Sequence, residues 1–222
     1  MKRLKHSLTL LLVIATLGGL LTTGAAAATD KQTRAARALS EMGLFRGYDS
    51  TGDNFGLDNT LTREQSLALL IRMKGEAAAA EAWTGALPYT DVAADNALLP
   101  YIGYGKEMGY TKGIGGGKFG GNQLVRMQEM TIFALRGLGY SDSGDSGDFS
   151  WDTALSTAVK VEMLESDVVI SPFLRGDAVD ILVGTLAANV KGQDYDLLSK
   201  LMNEGVVTRG QYDKAVAAAK PQ

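Results

Sequence analysis

The chain has 222 residues, 45% hydrophobic and 21% charged, with a net charge of −3, no cysteine and one histidine, His6. The first 28 residues hold three of the 22 basic groups and none of the 25 acidic ones, which leaves −6 on the rest. Beyond that start, disulfides, Cys/His zinc sites, cysteine nucleophiles and Ser-His-Asp triads are excluded by inventory, and the acidic balance argues against nucleic acid as a partner.

Lys2, Arg3 and Lys5 precede an apolar run over residues 8–21, and Gly24-Ala25-Ala26-Ala27-Ala28 follow. This is the layout of a secretory signal peptide, residues 1–28, with cleavage expected after Ala27 or Ala28. The apolar run falls short of the roughly 20 residues of a membrane span, and an uncleaved anchor is the alternative. No membrane span is expected after cleavage.

Residues 30–43 read as an Ala-rich helix with Ala35, Ala38, Leu39 and Met42 on one side and Gly43 as its stop. The Asp49-Ser50-Thr51-Gly52-Asp53-Asn54 turn has Asn and Thr60 where a calcium loop needs Gly and Glu, so it is read as a plain turn. Thr62 and Gln65 have capping-box spacing, and Leu67, Leu70 and Ile71 form the buried stripe of the helix that follows. Arg63 then sits beside the helix end that attracts anions, which makes a seat for a carboxylate or phosphate.

Residues 76–82 read as a short helix and 99–108 as a longer one. Gly113-Ile114-Gly115-Gly116-Gly117-Lys118 lacks the Ser/Thr and the strand–helix frame of a phosphate loop, so its glycines are read as turn positions. A helix is expected over residues 153–164, and Ser171-Pro172 could start the next with Pro at N1. Residues 195–202 and 208–219 read as a C-terminal helical hairpin.

The Arg63 block returns. Leu124-Val125-Arg126-Met127-Gln128 lies 63 positions beyond Leu61-Thr62-Arg63-Glu64-Gln65, followed by Met130, Phe133 and Ala134. Phe173-Leu174-Arg175-Gly176-Asp177 lies 49 further on, followed by Val179, Leu182, Val183 and Leu186. In this alignment Val125 replaces the capping Thr, at a cost of about 1 kcal/mol. Glu41-Met42-Gly43-Leu44-Phe45-Arg46-Gly47 leads to Phe55-Gly56 as Glu107-Met108-Gly109-Tyr110-Thr111-Lys112-Gly113 leads to Phe119-Gly120. Units that bury a face only by stacking are how repeat proteins work.

With Tyr89-Thr90-Asp91-Val92 and Phe149-Ser150-Trp151-Asp152 as lead-ins, this order resembles the S-layer homology (SLH) family, with three tandem SLH repeats over residues 29–75, 76–140 and 141–192, the third divergent, and residues 193–222 as the hairpin. The resemblance implies a mainly α fold: three two-helix repeats in a pseudo-threefold helical bundle. It also implies a non-catalytic, secreted bacterial surface protein that attaches non-covalently to cell-wall polysaccharide, an anionic, pyruvylated secondary wall polymer, through inter-repeat grooves.

Matching the family's motif assigns Arg63, Arg126 and Arg175 to the ligand, with Asp91 and Asp152 as lead-in acids and Gly47 and Gly113 as turn glycines. Trp83 and Trp151 are candidates for stacking on a sugar on physical grounds alone. Each has a plainer reading: the arginines as ties to carboxylates, Asp91 as a cap, the tryptophans as packing between repeats. The third repeat lacks the glycine turn, so one or two working grooves are expected. No cofactor or metal is expected. The alternative function is a structural or adaptor surface protein whose SLH trio is a scaffold for another surface protein. A carboxylate-based glycan hydrolase would need two facing carboxyls about 5–9 Å apart, and the sequence shows no sign of them.

Overall fold

The computed structural model describes residues 28–48, 54–87, 89–144 and 146–221. All but the last residue of the expected leader, residues 1–28, and most of the 49–54 turn lie outside the described residues. Threonine caps start three helices as their spacing requires. Thr29 Oγ1 accepts the Gln32 amide and Gln32 Oε1 accepts the Thr29 N–H, opening α1 (Asp30–Glu41). The same reciprocal pair, Thr62 with Gln65, opens α2 (Arg63–Met73).

Then follow α3 (Ala77–Glu81), α4 (Leu99–Glu107), α5 (Met127–Gly137), α6 (Ala154–Lys160) and α7 (Arg175–Ala187). Asp196 caps α8 (Leu197–Asn203), and Thr208 with Gln211 caps α9 (Arg209–Ala218). Among the described residues these helices and four isolated β-bridges are the regular structure, so the fold is mainly α as expected. Among the same residues, no helix is long and apolar enough to cross a membrane. Helix α7 starts three residues after Ser171-Pro172, because Asp177 Oδ2 accepts the Leu174 N–H and Phe173 is buried.

Helices α2, α5 and α7 pack pairwise and bury the three stripes read from the sequence, including Leu67, Leu70, Met130, Phe133, Val179 and Leu182. Around them, α4 packs on α2, α6 on α5 and α1 on α7, so each outer helix covers a central helix from a neighbouring unit in cyclic order. The last two helices are built into this body: α8 packs on α7 and α9 on α1. Val206 between them fills the space a side chain at Gly75 would need.

The helix starts correct the alignment of the second unit by one residue. Leu61, Val125 and Phe173 are all buried; Thr62, Arg126 and Leu174 are the N-caps; Arg63, Met127 and Arg175 are the first helical residues and are buried. Val125 is therefore a core residue, not a failed cap, and Arg126 stands at the cap position. Glu129 takes over half the capping there, its Oε2 accepting the Arg126 N–H at 3.0 Å.

Two of the three junctions are stitched identically. Thr62 pairs with Leu124, and the Arg63 and Glu64 amides bond to the carbonyls of Gln123 and Gly121 at 2.8 and 3.2 Å. Leu174 pairs with Thr60, and the Arg175 and Gly176 amides bond to Asn59 and Leu57, both at 2.8 Å. The anion seat expected at these helix ends is thus occupied by backbone carbonyls of the neighbouring unit. The third junction, where α5 should meet a turn of unit 3, has no such bridge among the described residues.

Units 1 and 3 also meet through Gln32, whose Nε2 donates to Asp180 Oδ2 at 2.9 Å and Asp177 Oδ1 at 3.3 Å. Burial pushes the Asp180 carboxyl up to about 6, with Gln32 and Lys31 opposing and Asp177 and Glu165 adding. A carboxyl whose folded pKa is raised holds its proton longer folded than unfolded, so stability falls as pH rises from 3.8 through about 6. Asp180→Asn is expected to stabilise the protein by about 1–2 kcal/mol at pH 7 and to be neutral near pH 3.5. Urea denaturation at the two pH values checks this.

Candidate functional site

Arg63 and Arg175 leave their helices in the same direction and enter the glycine turn of the next unit. Arg63 Nε donates to the Phe119 carbonyl at 3.0 Å, Nη1 to Glu129 Oε1 at 2.9 Å, and Nη2 lies within 3.5 Å of Thr111 Oγ1 and the Gly113 carbonyl. Its guanidinium sits 4.7 Å from the Phe133 ring centre, and only 5% of the residue is exposed. Burial pushes its pKa down, with Glu129 opposing. Arg175 Nε donates to the Phe55 carbonyl and Nη2 to the Arg46 carbonyl, both at 2.8 Å, between the Phe45 and Tyr48 rings. Gly47 lies between the Arg46 carbonyl and the Tyr48 ring at that seat. Both arginines fasten a turn to a helix.

Arg126 behaves differently because its position is different. At the N-cap its side chain points out, 68% exposed, with the guanidinium carbon 4.8 Å from the Trp151 ring. Trp151 is itself 42% exposed. Its carbonyl accepts from the Gln128 side chain, which ties the third lead-in to the start of α5.

These two side chains line a cleft of about 400 Å³. Gly113 and Ile114 of the second turn and Glu129, Ile132, Phe133 and Arg136 of α5 line it with them. Arg63 and Asp142 complete the lining. Gly113 has φ +76°, and a side chain there would meet the Lys118 carbonyl at 2.4 Å and the Tyr89 ring at 2.7 Å, so the turn itself requires glycine at this point of the lining.

Charge inside the cleft is mostly internal. Glu129 bridges Arg63 and Arg126, with Oε2 3.3 Å from Arg126 Nε. Arg136 forms a two-point pair with Asp142 at 3.1 and 2.6 Å, and Lys112 Nζ lies 2.7 Å from the same carboxylate. Burial alone would raise the Asp142 pKa, but the bonds from Arg136 and Lys112 bring it down to about 2. Arg63, Arg126, Arg136 and Lys112 against Glu129 and Asp142 leave two positive charges in excess, and Arg126 is the cation most open to solvent.

Of the nine residues singled out in the sequence, Arg63, Gly113, Arg126 and Trp151 meet in this cleft. Arg175 and Gly47 sit together at the junction of units 3 and 1. Asp91 accepts the Phe119 and Gly120 amides, both at 2.8 Å, and so clamps the second turn. Burial acts to raise its pKa, and these two amides bring the net below the ordinary value. Trp83 lies over Gly103 of α4 and Gly85, with Nε1 donating to Glu107 Oε2 at 2.7 Å, away from the cleft. Asp152 is exposed beside Trp151 and does not line it.

Glu129, Arg136 and Asp142 were not singled out. The signal was present for two of them: Arg126, Glu129, Phe133 and Arg136 fall at i, i+3, i+7 and i+10, one face of α5 with polar residues interrupting an apolar stripe. Among the described residues no group of three or more His, Cys, Asp or Glu side chains could hold a metal ion.

No protein-family model matches the chain. Over 109 residues, 48% of its length, the chain is 30% identical to a protein named "Cell surface protein" from Thermoanaerobacter kivui, and it covers 14% of that protein. The chain is thus similar to a small part of a much longer protein of the cell surface.

Proposed function

We propose that this is a non-catalytic SLH-type surface protein, exported by its first 28 residues, that holds an acidic cell-wall polysaccharide in the Arg126–Trp151 cleft. One observation carries the reading: an exposed guanidinium stacked on an exposed indole, both lining one cleft. A guanidinium gives a carboxylate two parallel charge-assisted hydrogen bonds, and an indole covers the apolar face of a sugar ring. The excess of positive charge suits an anionic ligand. The likeness to a cell surface protein supports the location.

Asp142 suits binding and not hydrolysis. A general acid must carry a proton near neutral pH, whereas Asp142 is held at about 2 by Arg136 and Lys112. Glu129 is occupied by ion pairs with Arg63 and Arg126.

The test is co-sedimentation of the exported protein with purified wall sacculi. Arg126→Ala and Trp151→Ala are each expected to weaken binding at least about tenfold, the loss of one charge-assisted contact. Both residues are on the surface, so unfolding midpoints should stay within about 0.5 kcal/mol of the parent. Undiminished sedimentation of the double variant would remove the glycan reading.

The scaffold reading has one observation of its own. Val168, Val169 and Ile170 stand exposed where units 1 and 2 carry their glycine turns, and exposed apolar runs mark docking surfaces. It predicts crosslinking to another surface protein that survives removal of the wall glycan and fails in Val169→Asp.

A further inference from the structure

The first described residue, Ala28, is fastened to the body of the protein. Its N–H donates to Asp58 Oδ1 at 2.5 Å across thirty positions of sequence, and its side chain packs against the core. Asp58 lies between Leu57 and Asn59, whose carbonyls take the Gly176 and Arg175 amides. The next residue, Thr29, is the cap of α1, and its N–H is engaged by Gln32, the residue that reaches Asp177 and Asp180 of α7. Ala28 therefore stands where the first and third units close on each other.

The sequence leaves two positions for removal of the leader, after Ala27 or after Ala28, and the geometry separates them. A cut after Ala28 would delete the group bonded to Asp58 and put an ammonium on the cap residue itself. A cut after Ala27 keeps the Thr29–Gln32 box intact and puts the new charge on the nitrogen already facing a carboxylate. A free ammonium at the start of a helix opposes the helix dipole, and Asp58 offsets this.

We propose that the mature protein begins at Ala28, and that its α-ammonium forms an ion pair with Asp58 that fastens the junction of units 1 and 3. Water adds across the Ala27–Ala28 peptide bond, leaving a carboxylate on Ala27 in the released leader and an amine on Ala28 that takes a proton at neutral pH. An amide–carboxylate bond becomes an ammonium–carboxylate bond, the stronger kind. The charged side chains adjoining it are Asp58, Asp30 and Lys31, the last paired with Glu165 at 3.8 Å. The inference rests on the reading of residues 1–28 as an export leader.

The experiment starts from protein recovered after export, by N-terminal sequencing and intact mass, with Ala28 expected as the first residue. Its α-ammonium, titrated by NMR, should ionise above the ordinary range of about 7.7–8.0 and fall back into it in Asp58→Asn. At low salt Asp58→Asn should lower the melting temperature by about 2 °C. The same substitution should have a clearly smaller effect in a chain with one glycine inserted between Ala27 and Ala28, where the ammonium is displaced and only the Ala28 amide faces Asp58. A retained leader overturns the export reading and this inference together. Thr29 as first residue, or an Asp58→Asn variant with an unmoved ammonium and the same effect in both chains, overturns this inference alone.

Discussion

Arg63→Ala is expected to destabilise the protein by about 3 kcal/mol, whereas Arg126→Ala leaves stability nearly unchanged. The two arginines look alike in sequence and lie in one cleft, but their surroundings differ. Removing the Arg63 guanidinium leaves Glu129 largely buried with only the N-cap contacts of Arg126, and leaves the Phe119 carbonyl without its side-chain donor. Stripping one partner from a buried pair costs about 3–5 kcal/mol, and the remaining contact to Arg126 places this site at the lower end. In a chain of this length the melting temperature should fall by about 10 °C.

Arg63→Lys should not restore it, because a single ammonium cannot reach a carbonyl, a carboxylate and a hydroxyl in three directions as the planar fork does. The combination Arg63→Met with Glu129→Gln should be milder than Arg63→Met alone, since it removes the stranded charge with its partner. Met127 is the internal precedent: at the same helical position in unit 2, with no glycine turn in unit 3 to grip, an unbranched apolar side chain is buried in place of the arginine.

That substitution also shows why the fold was largely legible in the sequence and the site only partly so. Caps and stripes are local: the Thr62–Gln65 spacing placed the start of α2, and the stripe of Ala35, Ala38, Leu39 and Met42 placed α1, within about two residues. The slip in unit 2 came from matching Arg126 with Arg63 by residue type. The apolar positions held the better register: Phe55 to Arg63 and Phe119 to Met127 are both eight steps, and the residue before each cap must be buried. Trp83 and Trp151 could not be told apart by composition. What separates them is tertiary, because bare backbone at Gly103 and Gly85 accepts the Trp83 ring, whereas the Trp151 ring stays 42% exposed with Arg126 over it. The Arg136–Asp142 pair spans the end of α5 through a loop whose path no periodicity describes.

Gly184→Ala is the other change with a large expected cost, and it tests how closely the third unit is packed. Within α7, alanine is intrinsically better than glycine by about 1 kcal/mol. Here a Cβ would lie 1.9 Å from the Met163 carbonyl oxygen and 3.0 Å from its carbon. The obstacle is backbone just beyond α6, which cannot rotate aside as a side chain would, so helix and loop must separate by more than an ångström. Overpacking of this kind costs about 1–3 kcal/mol, and contact with backbone puts it at the upper end, so a net loss of about 2 kcal/mol is expected after the propensity gain. Gly210→Ala is the control. Gly210 lies in α9 with nothing within 4 Å of the added Cβ, so only the propensity gain remains and the protein should become more stable by about 0.5–1 kcal/mol. Urea midpoints of the two variants moving in opposite directions would establish that α7 and the end of α6 are in backbone contact. A stabilising Gly184→Ala would mean that the third unit, which lacks the glycine turn, is also loosely closed.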